Sequence, residues 1–277
     1  VLVLATALSL IGALLSGVNL GADGVLPKFL MWIGVVAAYG AFWVALAVAV
    51  NALGRGSSTN ALTLAGLWLG FVLLIPSLLN VAIKAAHPVP SRVDMIQAMR
   101  VASDDVTAQR SKLMARYLED HPELVGASAD TMAQLAIRNV VMMEETERRV
   151  KPVLQRFDEQ LFRQQTLVDQ YRYLSPAILT QAALYDLAGT NTFRYKHFLT
   201  LIDQFHRDWR GYFFPFMVKT AQLTGGDIDA MPRFEFREES NSAVLSRAAV
   251  ALLGLIALTT VVALVATRML SRYPIVG

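Results

Sequence analysis

Residues 248–267 read AAVALLGLIALTTVVALVAT, without one charged side chain, and Arg247 and Arg268 stand directly at the two ends. An α-helix needs about 20 apolar residues to cross a bilayer core of roughly 30 Å. The stretch therefore predicts a membrane-spanning helix over about residues 246–268. A helix buried in a water-soluble protein is a poor alternative, because such a helix is usually shorter and carries polar residues on one face.

Three further apolar stretches of this kind precede it. They predict spans over about residues 1–22, 29–54 and 60–84, within a first membrane region of residues 1–87. Only a short linker, Gly54–Asn60, separates the second span from the third, so these two neighbours are expected to run antiparallel. The sequence opens inside an apolar run at Val1, which favours a missing N-terminal portion over a signal peptide.

Charge is concentrated between the third span and the last one. The chain is 55% hydrophobic and 17% charged, and residues 88–241 hold all but one of its 22 acidic residues. Apolar residues recur there at helical spacing. The sequence therefore predicts an all-α membrane protein with four transmembrane helices, arranged three plus one. An elongated helical extracytoplasmic domain, residues 88–242, lies between them, and residues 243–277 form the final span and a short cytoplasmic tail.

The first half of this insertion (residues 88–242) carries two long helix signals. Ser91, followed by Asp94 three residues later, predicts a helix cap, and the helix is expected to reach about Glu119. A second helix is expected from near Ser128 to Leu174, with one apolar stripe. Pro152 lies within that helix and is expected to kink or divide it.

The second half predicts two more helices. Ser175-Pro176 begins the shorter one, which is expected to end at Gly189. The last helix carries an aromatic stripe at three-four spacing, which is more typical of a packed core than of a ligand platform: Phe198, Ile202, Phe205, Trp209, Tyr212 and Phe216. We expect this stripe to dock against the stripe from Val150 to Tyr171. Glu235, between two phenylalanines, indicates a short extended piece before the final span.

Basic residues at the ends of the spans predict the orientation. Arg55, Arg268 and Arg272 share one side of the membrane if the spans alternate, and no acidic residue accompanies them. The positive-inside rule then makes this side cytoplasmic and the insertion periplasmic. Three basic residues on the other side oppose this assignment: Lys84, Arg92 and Arg247.

Polar and small residues inside the spans have structural interpretations. Pro76 is expected to kink the third span, and Gly66 with Gly70 forms a small-xxx-small pair that allows close helix approach. Asn51 and Asn80 could line a transport pathway. Capping or hydrogen bonding between helices is the interpretation that we favour for both.

The sequence contains no recognisable catalytic, cofactor-binding or metal-binding set. It has no cysteine, and no Gly-x-x-x-x-Gly-Lys-Ser/Thr motif for a nucleotide. None of the four histidines has a second histidine at helical spacing, and Asp203 with His206 forms at most a surface pair. A basic run with interleaved aromatic residues, which would indicate nucleic-acid binding, is also missing. We therefore predict a non-catalytic chain with no site residues of its own.

Several short segments in the same order resemble the permease subunits of ABC-2-type transporters. The similarity is to the bacterial subgroup with a large helical periplasmic insertion, which is grouped with permeases for multicopper-enzyme maturation. The segments that carry the resemblance are Asn51–Arg55, Thr59–Leu62, Pro88–Arg92, Tyr117–Leu124, Leu174–Ala177, Asp186–Thr190, Phe205-His206 and Trp209-Arg210.

The resemblance implies a function and a set of partners. It implies a multi-pass permease of the bacterial inner membrane, whose four spans are the third to sixth of six. Cytoplasmic ATP-binding subunits would hydrolyse ATP with Mg²⁺, a second permease copy or paralogue would complete a dimer, and a periplasmic accessory protein and membrane lipid are further expected partners. The substrate stays unidentified, and the cytoplasmic coupling segment is not in this sequence.

Two other functions compete with transport. In the first, the chain transmits mechanical force or assembles a complex, and its periplasmic bundle docks a partner while no substrate crosses. The long amphipathic helices favour this alternative. The second is a membrane-anchored enzyme, and no residue pattern in the sequence supports it.

Overall fold

The computed structural model describes residues 2–89, 91–122, 131–219 and 223–271. Within these residues the chain forms helices and no β-strand. Five residues named in the sequence-based predictions lie outside them: Val1, Pro90, Leu124, Ser128 and Arg272.

Three helices are long and apolar enough to cross a membrane. They are α2 (Val25–Asn51), the composite helix Ser57–Ala86, and α11 (Asn241–Leu270). Each overlaps a span predicted from the sequence, although α11 begins several residues earlier than predicted. The early start has a local cause, because the Ser240 hydroxyl caps the helix by accepting a hydrogen bond from the Ala243 amide at 3.4 Å.

The first helix is shorter than the predicted span. Helix α1 (Leu2–Leu15) has 14 residues, which at 1.5 Å each measures about 21 Å. It ends before Gly17, whose φ of 76° is a left-handed conformation that glycine adopts readily. The membrane span predicted over residues 1–22, the first along the chain, therefore stays a prediction.

The turn between the first two long helices is closed by asparagines. The side-chain amide of Asn60 donates to Oδ1 of Asn51 at 3.0 Å and to the Arg55 carbonyl at 3.3 Å. Asn60 is buried, and Gly54 supplies the positive φ that the turn requires. Asn51 thus bonds to its neighbouring helix, in line with the interpretation favoured above, whereas Asn80 is exposed.

The second long helix changes its hydrogen-bond register in the middle. It consists of α3 (Ser57–Leu69), a π-helical turn (Gly70–Leu74) and α4 (Ile75–Ala86). The Ile75 amide donates to the Gly70 carbonyl, five residues back. The next bond in this register would join Pro76 to the carbonyl of Phe71, but proline has no N–H. Pro76 therefore ends a π-turn rather than only kinking a regular helix.

The insertion contains more helices than predicted. They are α5 (Arg92–Ala108), α6 (Arg110–Asp120), α7 (Thr131–Tyr171), a 3₁₀ turn (Arg172–Leu174), α8 (Pro176–Ala188), α9 (Thr192–Lys219) and α10 (Gly225–Asp229). Ser91 and Asp94 form the predicted capping box of α5. Helix α7 runs through Pro152, so the proline does not divide it. Thr224 and Asp227 form a second capping box, which starts α10 and which we had not predicted.

The chain folds into two compact units. The first contains the described residues up to Ala86, together with Gln165–Tyr195 and the residues from Glu238 onward; the second contains His87–Gln164 and Lys196–Arg237. Residues 165–195 come from the insertion but pack with the apolar helices. In the first unit α8 lies against α2 and α11. The core of that contact is fully buried: Val35, Leu179, Ala183, Ala251 and Leu255.

The second unit combines buried apolar residues, such as Val106 and Ile137, with ion pairs and ring contacts between its helices. Arg149 of α7 forms an ion pair with Asp105 of α5 and donates to Gln109 at 3.2 Å. The rings of α9 pack on the extended residues that follow α10. Phe198 lies 6.0 Å and Phe205 lies 5.6 Å from the ring of Phe234.

Helices α7 and α9 approach each other in the second unit. Among the described residues, the Lys196 ammonium of α9 lies 4.7 Å from the Phe162 ring, and Arg210 forms an ion pair with Glu147. Trp209 of the aromatic stripe and Val140 of α7 line the same cavity. Docking of the aromatic stripe on the stripe from Val150 to Tyr171 stays a prediction.

Candidate functional site

An arginine at the beginning of α11 holds the polar network of the first unit together. The Nε atom of Arg247 donates to Asp186 at 3.1 Å, and its Nη2 atom donates to Glu239 at 2.6 Å. Its guanidinium carbon also lies 5.0 Å from the ring centre of Phe193. The side chains are 23% exposed at Arg247 and 9% at Asp186, so this ion pair is largely removed from water.

The loop between α8 and α9 places Asp186 for this contact. Gly189 has a φ of 66° and ends α8, and the Thr190 amide donates back to the Tyr185 carbonyl at 3.0 Å. Asn191 then caps α9, because its Oδ1 atom accepts from the Arg194 amide at 2.7 Å. The Asn191 side-chain amide donates to Asp186 as well. The carboxylate thus receives hydrogen bonds from two sides.

A second arginine fastens the same loop to the segment that precedes α11. Arg194 donates to both carboxylate oxygens of Glu238, at 2.9 Å and 2.5 Å. Its Nη1 atom also reaches the Gly189 carbonyl at 3.3 Å. The pKa of the Arg194 guanidinium is raised above its ordinary value, chiefly by the hydrogen bond with Glu238. Both glutamates before α11 are therefore held by arginines.

A cavity of about 530 Å³ adjoins this network. Asp186 and Arg247 form part of its wall. Asp169 of α7 and Arg172 of the following 3₁₀ turn form another part. The Gln165 side chain donates to Asp169 at 3.3 Å. Burial raises the pKa of the Asp169 carboxyl above its ordinary value, although this hydrogen bond and Arg172 oppose the shift. The cavity can therefore offer an ionisable acid beside a guanidinium.

Arg172 has unused hydrogen-bonding capacity. Its Nη2 atom donates to the Tyr173 hydroxyl at 3.3 Å, and its guanidinium carbon lies 5.3 Å from the Tyr173 ring centre. Its Nε atom is buried and has no hydrogen-bond partner among the residues that the structure describes. A buried donor in this state is rare in proteins and costs free energy.

The residues singled out in the sequence lie elsewhere. Asp203 and His206 are exposed on α9, and no hydrogen bond or ion pair joins them in the described structure. The Nε2 atom of His197 donates to the Arg237 carbonyl, 2.7 Å away, in the tautomer that carries the proton on this nitrogen. In the described residues no group of three or more His, Cys, Asp or Glu side chains could hold a metal ion.

Sequence reasoning missed the Asp186–Arg247 pair and the cavity beside it. The two residues are 61 positions apart, and neither belongs to a motif with known chemistry. One signal was present: Arg247 stands directly before the charge-free stretch 248–267, where an unpaired charge is costly and a partner is expected.

Comparison with known proteins identifies the family only. The profile of a family described as a domain of unknown function, DUF3526, matches residues 92–237, which is more than half of the chain. The chain therefore belongs to the DUF3526 family. No curated protein matches the sequence, and no solved structure matches either.

Proposed function

We propose that this member of the DUF3526 family is a permease subunit of an ATP-driven ABC-2-type transporter. The observation that carries the proposal is the position of α8. This helix belongs to the insertion by sequence, yet Leu179 and Ala183 are fully buried against α2 and α11. A movement of the apolar helices would therefore move the insertion at this point.

Two of the segments that resemble ABC-2-type permeases lie at the two ends of α8. Leu174–Ala177 contains Ser175, which starts α8 and donates to the Phe71 carbonyl of the second long helix at 2.6 Å. Asp186–Thr190 contains the acid that binds Arg247 and the glycine that ends α8. The resembling segments therefore coincide with contacts between the insertion and the apolar helices, which supports the family assignment.

The proposed orientation rests on a contact between two helix starts. The Asn241 side chain donates to Asp23 at 3.1 Å, so α2 and α11 begin at the same end of the first unit. Arg55 follows the other end of α2, and Arg268 lies near the other end of α11. Their shared end would be cytoplasmic by the positive-inside rule. The insertion would then face the periplasm, and α1 would contribute to a fourth span.

Copurification tests the proposal directly. The full-length protein, expressed with its neighbouring genes and extracted in detergent, should carry ATP-binding subunits and a second permease chain with it. The complex should hydrolyse ATP, and a lysine substitution in the nucleotide motif of the partner should abolish hydrolysis. The proposal fails if no ATP-binding subunit copurifies, or if this chain hydrolyses ATP by itself.

The buried packing of α8 against α2 and α11 also favours mechanotransmission. In this alternative, movement of the apolar helices reaches a periplasmic partner, and no substrate crosses the membrane. Inverted vesicles that contain the complex separate the two functions. Transport would produce ATP-dependent accumulation of a compound from a cell extract, measured by mass spectrometry. Full ATP hydrolysis, with no compound accumulated and with a periplasmic protein bound to the insertion, would favour mechanotransmission.

A further inference from the structure

The cavity at the end of α7 contains a carboxylate and a guanidinium that do not form an ion pair with each other. Of its four charged residues, Asp186 and Arg247 neutralise each other at 3.1 Å. Asp169 and Arg172 also line it; the charge of Arg172 favours the Asp169 carboxylate, but no ion pair within 4 Å joins these two described residues. The cavity is therefore neutral overall but offers one carboxylate and one guanidinium to a ligand.

The same cavity reaches from a polar end of the first unit into its apolar part. Arg247 lies directly before the charge-free stretch of α11, and Val250 of that stretch lines the cavity. Tyr173, the neighbour of Arg172, lies against Gly254, where an added Cβ would stand 2.9 Å from the tyrosine ring. The charge-free stretch is long enough to cross a core of roughly 30 Å, so Arg247 at its end, and with it the mouth of the cavity, would lie where lipid head groups meet acyl chains.

We propose that this cavity binds the head group of a phospholipid that carries both a phosphate and a primary ammonium. Arg172 lines the cavity, and its terminal Nη groups would bind the phosphate. Asp169 would accept hydrogen bonds from the ammonium. Val250 and Ile178 would contact the glycerol and the first methylene groups. The inference goes beyond the proposed function, because it requires the apolar helices but not transport.

The charges distinguish this ligand from other head groups. A head group with only a phosphate would leave Asp169 facing a second negative charge. A quaternary ammonium has no hydrogen to donate, so a choline head group would lose the bond to the carboxylate. Burial raises the pKa of Asp169, and a bound ammonium would offset that shift by stabilising the charged form.

Native mass spectrometry of the purified full chain in detergent tests the inference. One phosphatidylethanolamine molecule per chain should bind on the order of tenfold more tightly than phosphatidylcholine or phosphatidylglycerol. A tenfold preference corresponds to about one charge-assisted hydrogen bond. Equal affinity for the three lipids, or a preference for phosphatidylglycerol, would overturn it.

Two variants locate the site. Asp169→Asn keeps the shape of the side chain and should remove the preference over phosphatidylcholine. Arg172→Gln should weaken the binding of all three lipids, and Arg172→Lys should restore part of it. The matched controls are Asp104→Asn and Arg163→Gln, whose exposed side chains lie outside the cavity. If Asp169→Asn keeps its thermal stability and its lipid preference, the site is not this cavity.

A soluble competitor separates a lipid from a free head group. Glycerophosphoethanolamine carries the same phosphate and ammonium without acyl chains. It should displace phosphatidylethanolamine only at concentrations at least a hundredfold higher, because it lacks the apolar contact. Binding of this compound as tight as that of the lipid would show that the cavity takes a soluble ligand, and the lipid proposal would be wrong.

Discussion

The hydroxyl of Ser175 donates a hydrogen bond to the backbone carbonyl of Phe71, over a distance of 2.6 Å. The carbonyl lacks its usual helical partner, because the π register points it toward Pro76, which has no N–H. The same hydroxyl oxygen accepts from the amides of Ala177 and Ile178 at the start of α8. One fully buried side chain thus caps one helix and completes the hydrogen bonding of another.

Replacing Ser175 by alanine removes both functions. We expect the free energy of unfolding to fall by about 2–3 kcal/mol, the sum of a lost cap and an unsatisfied buried carbonyl. The control is Ser240→Ala, which removes only the exposed cap of α11 and should cost about 1 kcal/mol. Thermal unfolding in detergent measures both. Equal losses would show that the bond to Phe71 contributes nothing.

Pro76→Ala tests the reason for that bond. The new amide at residue 76 could donate to the Phe71 carbonyl in the π register, so Ser175 would no longer be its only donor. In a double-mutant cycle, Ser175→Ala should therefore cost at least 1 kcal/mol less in the Pro76→Ala background. Additive losses would contradict the explanation that Pro76 leaves the Phe71 carbonyl without its helical hydrogen bond.

Local signals in the sequence predicted both ends of α8. Ser175-Pro176 and Gly189 act through residues next to them, and such caps can be recognised in any helix. The packing of α8 against α2 and α11 could not be predicted. Val35 and Leu255, which take part in it, look in the sequence like any other apolar residues of a membrane span. The Asp186–Arg247 pair and the Ser175–Phe71 bond join residues far apart in sequence, and no periodicity records such contacts. Helix α7 continues through Pro152, which excludes the predicted division of this helix; the predicted kink stays a prediction.

Gly254 permits the close approach of the 3₁₀ turn to α11. An added Cβ would lie 2.9 Å from Tyr173 Cε1 and 3.3 Å from Leu179 Cδ2. Gly254→Ala should therefore destabilise the first unit by about 1–3 kcal/mol. Gly40→Ala is the matched control, because nothing lies within 4 Å of the Cβ it adds, and it should be neutral or stabilising. Similar melting temperatures for the two variants would contradict the packing argument.

The ion pair of Arg247 with Asp186 should show strong coupling. Arg247→Gln leaves Asp186 as a nearly buried carboxylate, with Asn191 as a remaining donor, and should cost about 2–4 kcal/mol. Asp186→Asn should cost less, because Glu239 still neutralises the guanidinium. The double variant should lose at least 1 kcal/mol less than the sum of the single losses. Additivity would mean that the two residues act independently.

Because Glu147 and Arg210 form an ion pair, the second unit should lose stability as the pH falls. The hydrogen bond from Arg210 holds the pKa of the Glu147 carboxyl below its usual value. Because the folded pKa is depressed, the stabilisation is present above the ordinary glutamate pKa and disappears as the pH falls through the folded value. Glu147→Gln should therefore increase amide hydrogen exchange in α7 and α9 at pH 7 by the equivalent of about 0.2–1 kcal/mol, since the pair is partly exposed. The difference from the parent protein should shrink toward pH 3; a loss that persists there would indicate packing instead.

Asp158 should have the opposite pH dependence. Burial raises the pKa of its carboxyl, and the negative charge of Asp203 raises it further. A raised folded pKa means that protonation favours the folded state; this stabilisation is complete below the ordinary aspartate pKa and is lost as the pH rises through the folded value. Asp158→Asn should therefore protect α7 from hydrogen exchange at pH 7, by the equivalent of a few tenths of a kcal/mol, and should have no effect near pH 3. Asp203→Asn should give a smaller gain at pH 7, because it removes only the weaker of the two causes. If Asp158→Asn increases exchange at pH 7, the charged carboxylate stabilises the unit through a contact, and its pKa is lowered rather than raised.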